Sequence, residues 1–466
     1  MQIRITEIST AMCAIMDTAL TKTIAAVVTK NRVTFFTLYI LDWKWVMGNF
    51  PKIFKIRQKI EAPRLQNVEK RVNELLDQFD LWKKVKKGER VGLTAGSRGI
   101  KDKPKVLKTI IDRLKDLGAS PFVVPCMGSH GGATAEGQMK VLESLGITEK
   151  SVGAPIFSSV EVEEIGQTKF GTPVFADKNL LRADKIIVVN RIKPHTDFEG
   201  EIESGLVKMI VIGMAKPRGA LMVHRLTIKH GFPAILAELG SILLNKLPIF
   251  FGVGIIENQY DETAFIDLLE PKEIVEKEKV LLKKAKELIP FLPLDQIDIL
   301  IVDEMGKDIS GTGLDTNVIG RNLFIGGTKS NRPRITRIFV RDISEESHGN
   351  ATGIGMADYT TKRLVDKIDY TSTRINVMTG MSPENGRVPI FFETDREALS
   401  IAHYNSGVFD PQDLRILWIK NTLKIEYLYA SEAFLNQARS NPRLEILSEP
   451  SDFPFDQDGN LLPNWF

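Results

Sequence analysis

Cysteine is almost missing from this chain: Cys13 and Cys126 are the only two in 466 residues, and they form no CxxC pair. That argues against a disulfide framework and against a cysteine-built zinc cluster, and it makes a reducing cytoplasm the simplest compartment. Long apolar runs are missing too. The first 46 residues hold stretches such as VTFFTLYIL (33–41), but Asp17, Lys22, Lys30, Arg32, Asp42 and Lys44 interrupt them. None reaches the roughly 18 uninterrupted residues of a membrane span, so no membrane association is expected. The basic start, single apolar block and small residues of a secretory leader do not occur in that order. Net charge is +3 with acids and bases interleaved, so nothing points to nucleic acid as a partner. There is no low-complexity tract and no repeat period.

What is present is an alternating pattern. A chain of this length exceeds one ordinary core, so two domains are expected. From Arg90 onward, short apolar strands alternate with helices. RVGLTAG precedes a helix over Lys105 to Leu117, with Pro104 near its start and Gly118 beyond its end. PFVVPCMG precedes a second helix over Glu136 to Leu145, and KIIVVN is a third strand. Such βαβ alternation predicts an α/β fold with largely parallel sheets flanked by helices. A Glu/Lys-rich helix over about Pro271 to Leu288 leads through IPFLPLDQ to a fresh strand, DILIVDEMG. The expected division is therefore 1–46 as an appendage, 47–292 as a first domain and 293–466 as a second α/β domain, with the active site in the cleft between the two. The appendage reading includes a misassigned translation start, because the chain from Met47 reads like an ordinary protein beginning. In the second half, RIFVRDI and RLEIL read as strands and Tyr359 to Asp366 as a helix.

Four polar, glycine-bearing segments each follow a strand: TAGSRG, MGSHGGAT, KPHTDFEGEIESGLVK and EMGKDISGTG. In parallel sheets, ligands sit outside the carboxyl ends of strands, so these four are expected to share one edge. Of the six histidines, His230, His348 and His403 read as ordinary surface or packing residues. His130 stands among glycines in GSHGG, where the backbone can approach a ligand. His195 follows a buried strand beside Asp197 and Glu199, which could orient its ring. His224 lies near the end of MAKPRGALMVHR and can reach back to the same loop. Lys208 enters an apolar run, which suits either a snorkelling or a reacting lysine. Arg98 in GSRG is a candidate anion binder, although the segment is also plain loop composition. Lys307 in MGKDISGTG fails the phosphate-loop spacing, and no GxGxxG opens a helix after the first strand. Glu199, Glu201 and Glu203 alternate, as either orienting groups or a solvated turn.

Together these residues resemble the nickel-pincer lactate racemase family from about Arg90 to Asn317, most clearly between Gly128 and His224. GSHGGAT is similar to the family's Gly-x-His motif, and His195 with SGLVK to its histidine and Ser-Gly-x-x-Lys loop. VHR is similar to the segment that supplies the metal-binding histidine. The resemblance implies a cytoplasmic isomerase that racemises or epimerises a hydroxy acid. Its cofactor would be nickel held by a pyridinium-3-thioamide-5-thiocarboxylic acid mononucleotide, joined to Lys208. It implies His130 and His195 as the acid/base pair and His224 as the nickel ligand. Ser204, Gly205 and Arg98 would contact the cofactor, and Arg98 and Lys307 the substrate. It also implies cofactor-synthesis enzymes as partners. An imidazole suits soft, square-planar nickel, and an amide-type linkage would remove the charge of a lysine among apolar neighbours. The sequence departs from the family in three places, one being a separation of His195 from Lys208 a few residues longer than in lactate racemases. Ala95-Gly96-Ser97-Arg98-Gly99 lacks the acid and proline of Asp-x-x-Arg-Pro, and KDISGTGLDTN lacks a Tyr-Gln pair and a lysine. These departures imply a substrate larger than lactate, with Arg332 or Arg334 as additional contacts. Two other readings use the same residues: an oxidoreductase with a diffusible nicotinamide nucleotide, and a non-catalytic cofactor-binding protein.

Overall fold

The computed structural model describes residues 50–289, 291–326 and 333–462 in full, and the backbone alone of 22–29 and 32–39. In the expected appendage, strands β1 (Lys22–Thr29) and β2 (Arg32–Tyr39) pair antiparallel, and the rest of it lies outside the described residues. Arg332 also lies outside them.

The fold is α/β, built on two main sheets. Strand β3 (Ile53–Gln58) is followed by helix α1 (Val68–Gln78), and then the first sheet begins. Its strands are β4 (Arg90–Ala95) and β5 (Ser120–Pro125), then, after the small hairpin β6 (Val162–Gln167) and β7 (Pro173–Asp177), β8 (Lys185–Arg191), β9 (Ile249–Glu257) and β10 (Thr263–Leu269). The order is β10-β9-β8-β4-β5, parallel except for β10. Helices α2 (Lys103–Asp116), α3 (Ala135–Ser144), α4 (Lys216–His230), α5 (Phe232–Lys246) and α6 (Ile274–Glu287) belong to this half. The first two start two residues and one residue earlier than the pattern predicts. Both faces of the sheet are covered, and alternation along β8 shows it: Ile186 and Val188 join one core, Ile187 and Val189 the other.

The second sheet is mixed. Strands β11 (Ile297–Met305), β12 (Ile335–Ile343), β13 (Tyr359–Thr361), β14 (Ile390–Phe392) and β15 (Ile416–Ile419) run parallel, while β16 (Tyr427–Ser431) and β17 (Leu444–Ile446) are antiparallel additions. Between β16 and β17 lies β3, from the start of the chain. Local pattern groups residues 53–58 with the first half, but the partners of this strand are hundreds of residues away, beyond its reach. The segment Tyr359 to Asp366 is not one helix: its first three residues are β13, and only Lys362–Asp366 is helical. Tyr359, Thr360 and Thr361 are β-branched or aromatic and buried, which favours the sheet.

All four polar segments leave the carboxyl ends of their parallel strands, β4, β5, β8 and β11. The two sheets face each other across these edges. The Thr316 hydroxyl donates to the Thr196 carbonyl, and Asn322 Nδ2 donates to the Asp197 carbonyl at 2.5 Å, so the second half closes onto the loop after β8. Among the described residues, no helix is long and apolar enough to cross a membrane.

Candidate functional site

The loop after β8 is closed at its base. Lys193 and Ser204 exchange backbone hydrogen bonds at 2.8 and 3.2 Å, which brings His195 and the start of the Lys208 turn to the same end. Glu203 is buried beneath it. One of its carboxylate oxygens accepts the His195 backbone N–H at 2.7 Å, and the other accepts Gly200 N–H at 3.1 Å and pairs with Lys286 Nζ at 2.6 Å. Of the alternating acids, Glu203 is therefore an internal brace. Glu201 instead meets Lys279 at the surface, at 3.1 Å.

His195 Nδ1 accepts the Asp197 N–H at 3.0 Å, so the neutral ring carries its proton on Nε2. That nitrogen is in hydrogen-bond contact with Lys208 Nζ. An amine facing an N–H must offer its lone pair, and burial pushes the Lys208 ammonium down to about 8, with Arg98 adding to the effect against Asp197 and Glu203. Lys208 ends the short helical turn Leu206–Lys208 and is followed directly by a π-helical turn, Met209–Gly213, a geometry frequent at functional sites.

His130 lies in the loop after β5. Its Nδ1 donates to the Met127 carbonyl at 2.9 Å, leaving Nε2 as a proton acceptor. A Cβ on Gly131 would sit 2.6 Å from the Gly137–Gln138 backbone, and its φ is +67°, so both space and conformation require glycine beside this histidine. Burial, then Arg98, Lys307 and Lys208, push the His130 ring down to about 4, against the Met127 hydrogen bond. By accessible surface His130 and Arg98 are both exposed, although protein crowds each of them on most sides.

His224 projects from α4. Its Nδ1 is buried and has no hydrogen-bond partner among the described residues, and burial, with Lys208 and His130 nearby, pushes the ring down to about 4. Phe232 lies between two of the histidines, its ring centroid 5.9 Å from His224 and 5.7 Å from His195. Phe198 stacks on both His195 and Phe232, with centroids 4.5 Å apart in each case.

Arg98 and Lys307 face each other across the cleft. A Cβ on Gly311 would lie 2.3 Å from the Arg98 guanidinium, and Lys307 Nζ donates to the Gly311 carbonyl. Burial lowers the proton affinity of Arg98, with Arg191 adding to it; Lys307 falls to about 8 through burial and then Arg98. The opening beside them has a volume of about 780 Å³, lined among others by Arg98, Lys193, Lys307, Ser310 and Asp315. Lys193, which no motif singles out, is pushed down to about 7 by burial and then by Arg191. Arg334 is elsewhere: it precedes β12, at the opposite edge of the second sheet, and lines a separate exposed hollow. Ser204 contributes backbone bonds to the loop base, and Gly205 accepts from Asn190 Nδ2 at 2.8 Å. Among the described residues, no three His, Cys, Asp or Glu side chains converge as a ready metal cage.

Residues 51–233 match the lactate racemase N-terminal domain. The similarity covers this segment, 183 of the 466 residues. The match spans β3, the strands β4, β5 and β8, the loops carrying His130 and His195, the turn carrying Lys208 and the helix α4 carrying His224. Two solved structures are similar over most of the chain. The lactate racemase apoprotein of Thermoanaerobacterium thermosaccharolyticum has 13% identity and a TM-score of 0.44, covering 87% of this chain and 90% of its own. A structural-genomics target from Thermotoga maritima has 15% identity and a TM-score of 0.45, covering 77% and 97%. At these scores neither fixes a detail of this molecule. No curated protein matches the chain.

Proposed function

We propose that this lactate racemase-like protein is a racemase or epimerase of a 2-hydroxy acid larger than lactate, working with a nickel-pincer pyridinium mononucleotide tethered to Lys208. The family match supports a racemase-like function at the coarser level. The observation that carries the finer reading is the contact of Lys208 Nζ with His195 Nε2, with a buried, unpartnered imidazole nitrogen of His224 close by. A lysine held towards its amine form is the nucleophile that a tether requires. The donors fit the group: His224 would give one imidazole ligand to nickel, and the remaining donors would come from the organic ligand, since the chain offers no metal cage of its own among the described residues. When bound, that group supplies a reversible hydride acceptor.

The chain's own residues bind, orient and move protons. Arg98 and Lys307 hold the substrate carboxylate, Arg98 offering a planar fork for a bidentate pair. His130 is kept neutral at neutral pH, the form that takes the hydroxyl proton on Nε2. His195 serves the other face. Conversion of the Lys208 amine to an uncharged linkage removes the lone pair that engages His195 Nε2 and releases the ring for proton transfer. Cofactor-synthesis enzymes are the partners this reading requires.

The test uses protein produced together with those enzymes and a panel of 2-hydroxy acids deuterated at the carbinol carbon. Inversion with deuterium retained is expected. His130→Asn and His195→Asn should each slow it by about 10²–10⁴-fold. Complete washout of deuterium to solvent, or full activity in both variants, would contradict the proposal.

A further inference from the structure

Glu278 is an unusual member of its helix. Most of α6 is Lys and Glu on a solvated face, as its sequence suggests, but Glu278 is 0% exposed. Among the described residues no cation pairs with it. Its Oε2 accepts the Val207 backbone N–H at 2.9 Å, the Leu206 amide also favours its charged form, and Oε1 has no hydrogen-bond partner. The carboxyl lies so close under the chain that a Cβ on Gly205 would be 2.1 Å from Oε1. A buried carboxylate answered only by backbone amides costs stability, and burial pushes it up to about 7. The three residues it touches, Gly205, Leu206 and Val207, immediately precede Lys208. Eight positions further along α6, Lys286 grips Glu203, which in turn holds the backbone of His195.

We infer that α6 is the positioning element for the His195–Lys208 pair, with Glu278 fixing the turn that carries Lys208 and Lys286, through Glu203, fixing His195. Neither residue touches the reacting groups, so both act through others. The arrangement explains why the loop needs glycine at 205 although its φ of −171° is ordinary extended backbone: the requirement is space for the carboxylate. The biological meaning of this positioning rests on Lys208 being the tether. The geometry itself does not.

The experiment is pH-dependent acetylation of the cofactor-free protein with acetic anhydride, quantified at Lys208 by peptide mass spectrometry against exposed lysines. Wild type should show a Lys208 midpoint of about 8, set by burial and by Asp197, Arg98 and Glu203 around it. Glu278→Leu should move that midpoint upward towards 10.5, and the rate near pH 8 should fall about fivefold for the first whole pH by which the midpoint rises and about tenfold for each further one. The direction is diagnostic, because losing a nearby negative charge would by itself push the midpoint down. Leu281→Ala, which trims a buried apolar side chain of the same helix but keeps the Glu278 and Lys286 contacts, should leave it in place. If Glu278→Leu fails to fold, Glu278→Gln decides: a smaller upward move supports the inference and an unchanged midpoint overturns it. A folded Glu278→Leu with the wild-type midpoint overturns it too, as does an equal rise in Leu281→Ala. Because labelling is read without cofactor, failure of wild-type protein to acquire an adduct would refute the tether while leaving this result readable.

Discussion

In the eight-stranded sheet, Arg341 is nearly inaccessible and fully answered. Its guanidinium pairs with Asp303 and with Asp395, at 2.6 Å for the latter, and donates to the Leu461 carbonyl; Trp418 Nε1 donates to the same Asp303 at 2.7 Å. Burial opposes its charge, yet the two carboxylates hold its proton affinity above the ordinary value. In the cleft between the two sheets the outcome is the opposite. Arg98 and Lys193 line the cleft with no carboxylate in ion-pair contact among the described residues, and both lose proton affinity, as do Lys208 and Lys307. Away from the cleft the molecule closes its buried charges into ion pairs, as a scaffold does; Lys216 with Asp177 in the first half is another case. The cleft leaves its cations open, which is costly for folding alone and becomes intelligible where a ligand supplies the opposite charge or consumes a lysine's.

Breaking the closed network should have the larger effect on stability. Arg341→Leu leaves Asp303 buried without its cation and Asp395 with only Arg363, at 3.3 Å, and is expected to cost about 3–5 kcal/mol in urea unfolding. Its Lys208 acetylation midpoint should stay at the wild-type value wherever the variant remains folded. A loss below about 1 kcal/mol would place this pair among ordinary surface bridges and remove the contrast.

The open site should show itself in a smaller, pH-dependent effect. The folded-state affinity of His130 lies below its unfolded value of 6.5, so protonation favours the unfolded chain. The ring costs no stability above pH 6.5, and the protein should lose stability as pH falls from there towards about 4. His130→Asn should flatten that acid limb without altering stability at neutral pH. An unchanged limb would show that His130 is not held neutral by its surroundings.

Much of the site is legible because its signals are local. Glycines around His130, a histidine and lysine flanking one loop, and polar segments after apolar strands can be read one stretch at a time. The strand-end rule places all four at strand carboxyl ends, three on the edge of the first sheet and the fourth on the facing edge of the second rather than on one shared edge, and the family resemblance rests on the same residues. What is not legible depends on distant partners. Nothing in EIESG distinguishes Glu201 from Glu203, since only the approach of Lys286 makes the second a buried brace. Phe198 and Phe232 read as core residues, yet they wall two histidines. Glu278 is hidden in a helix whose charges otherwise face solvent, and β3 joins a sheet formed mostly by the far end of the chain. Lys193 looks like loop composition until Arg191 and Arg98 are seen beside it.

The most direct measurement is intact and peptide mass spectrometry, with metal analysis, of protein produced together with the cofactor-synthesis enzymes. A lysine-tethered nickel group predicts a covalent adduct located on Lys208, nickel in equal amount, and loss of both in Lys208→Ala. An unmodified Lys208 with no nickel bound would contradict it.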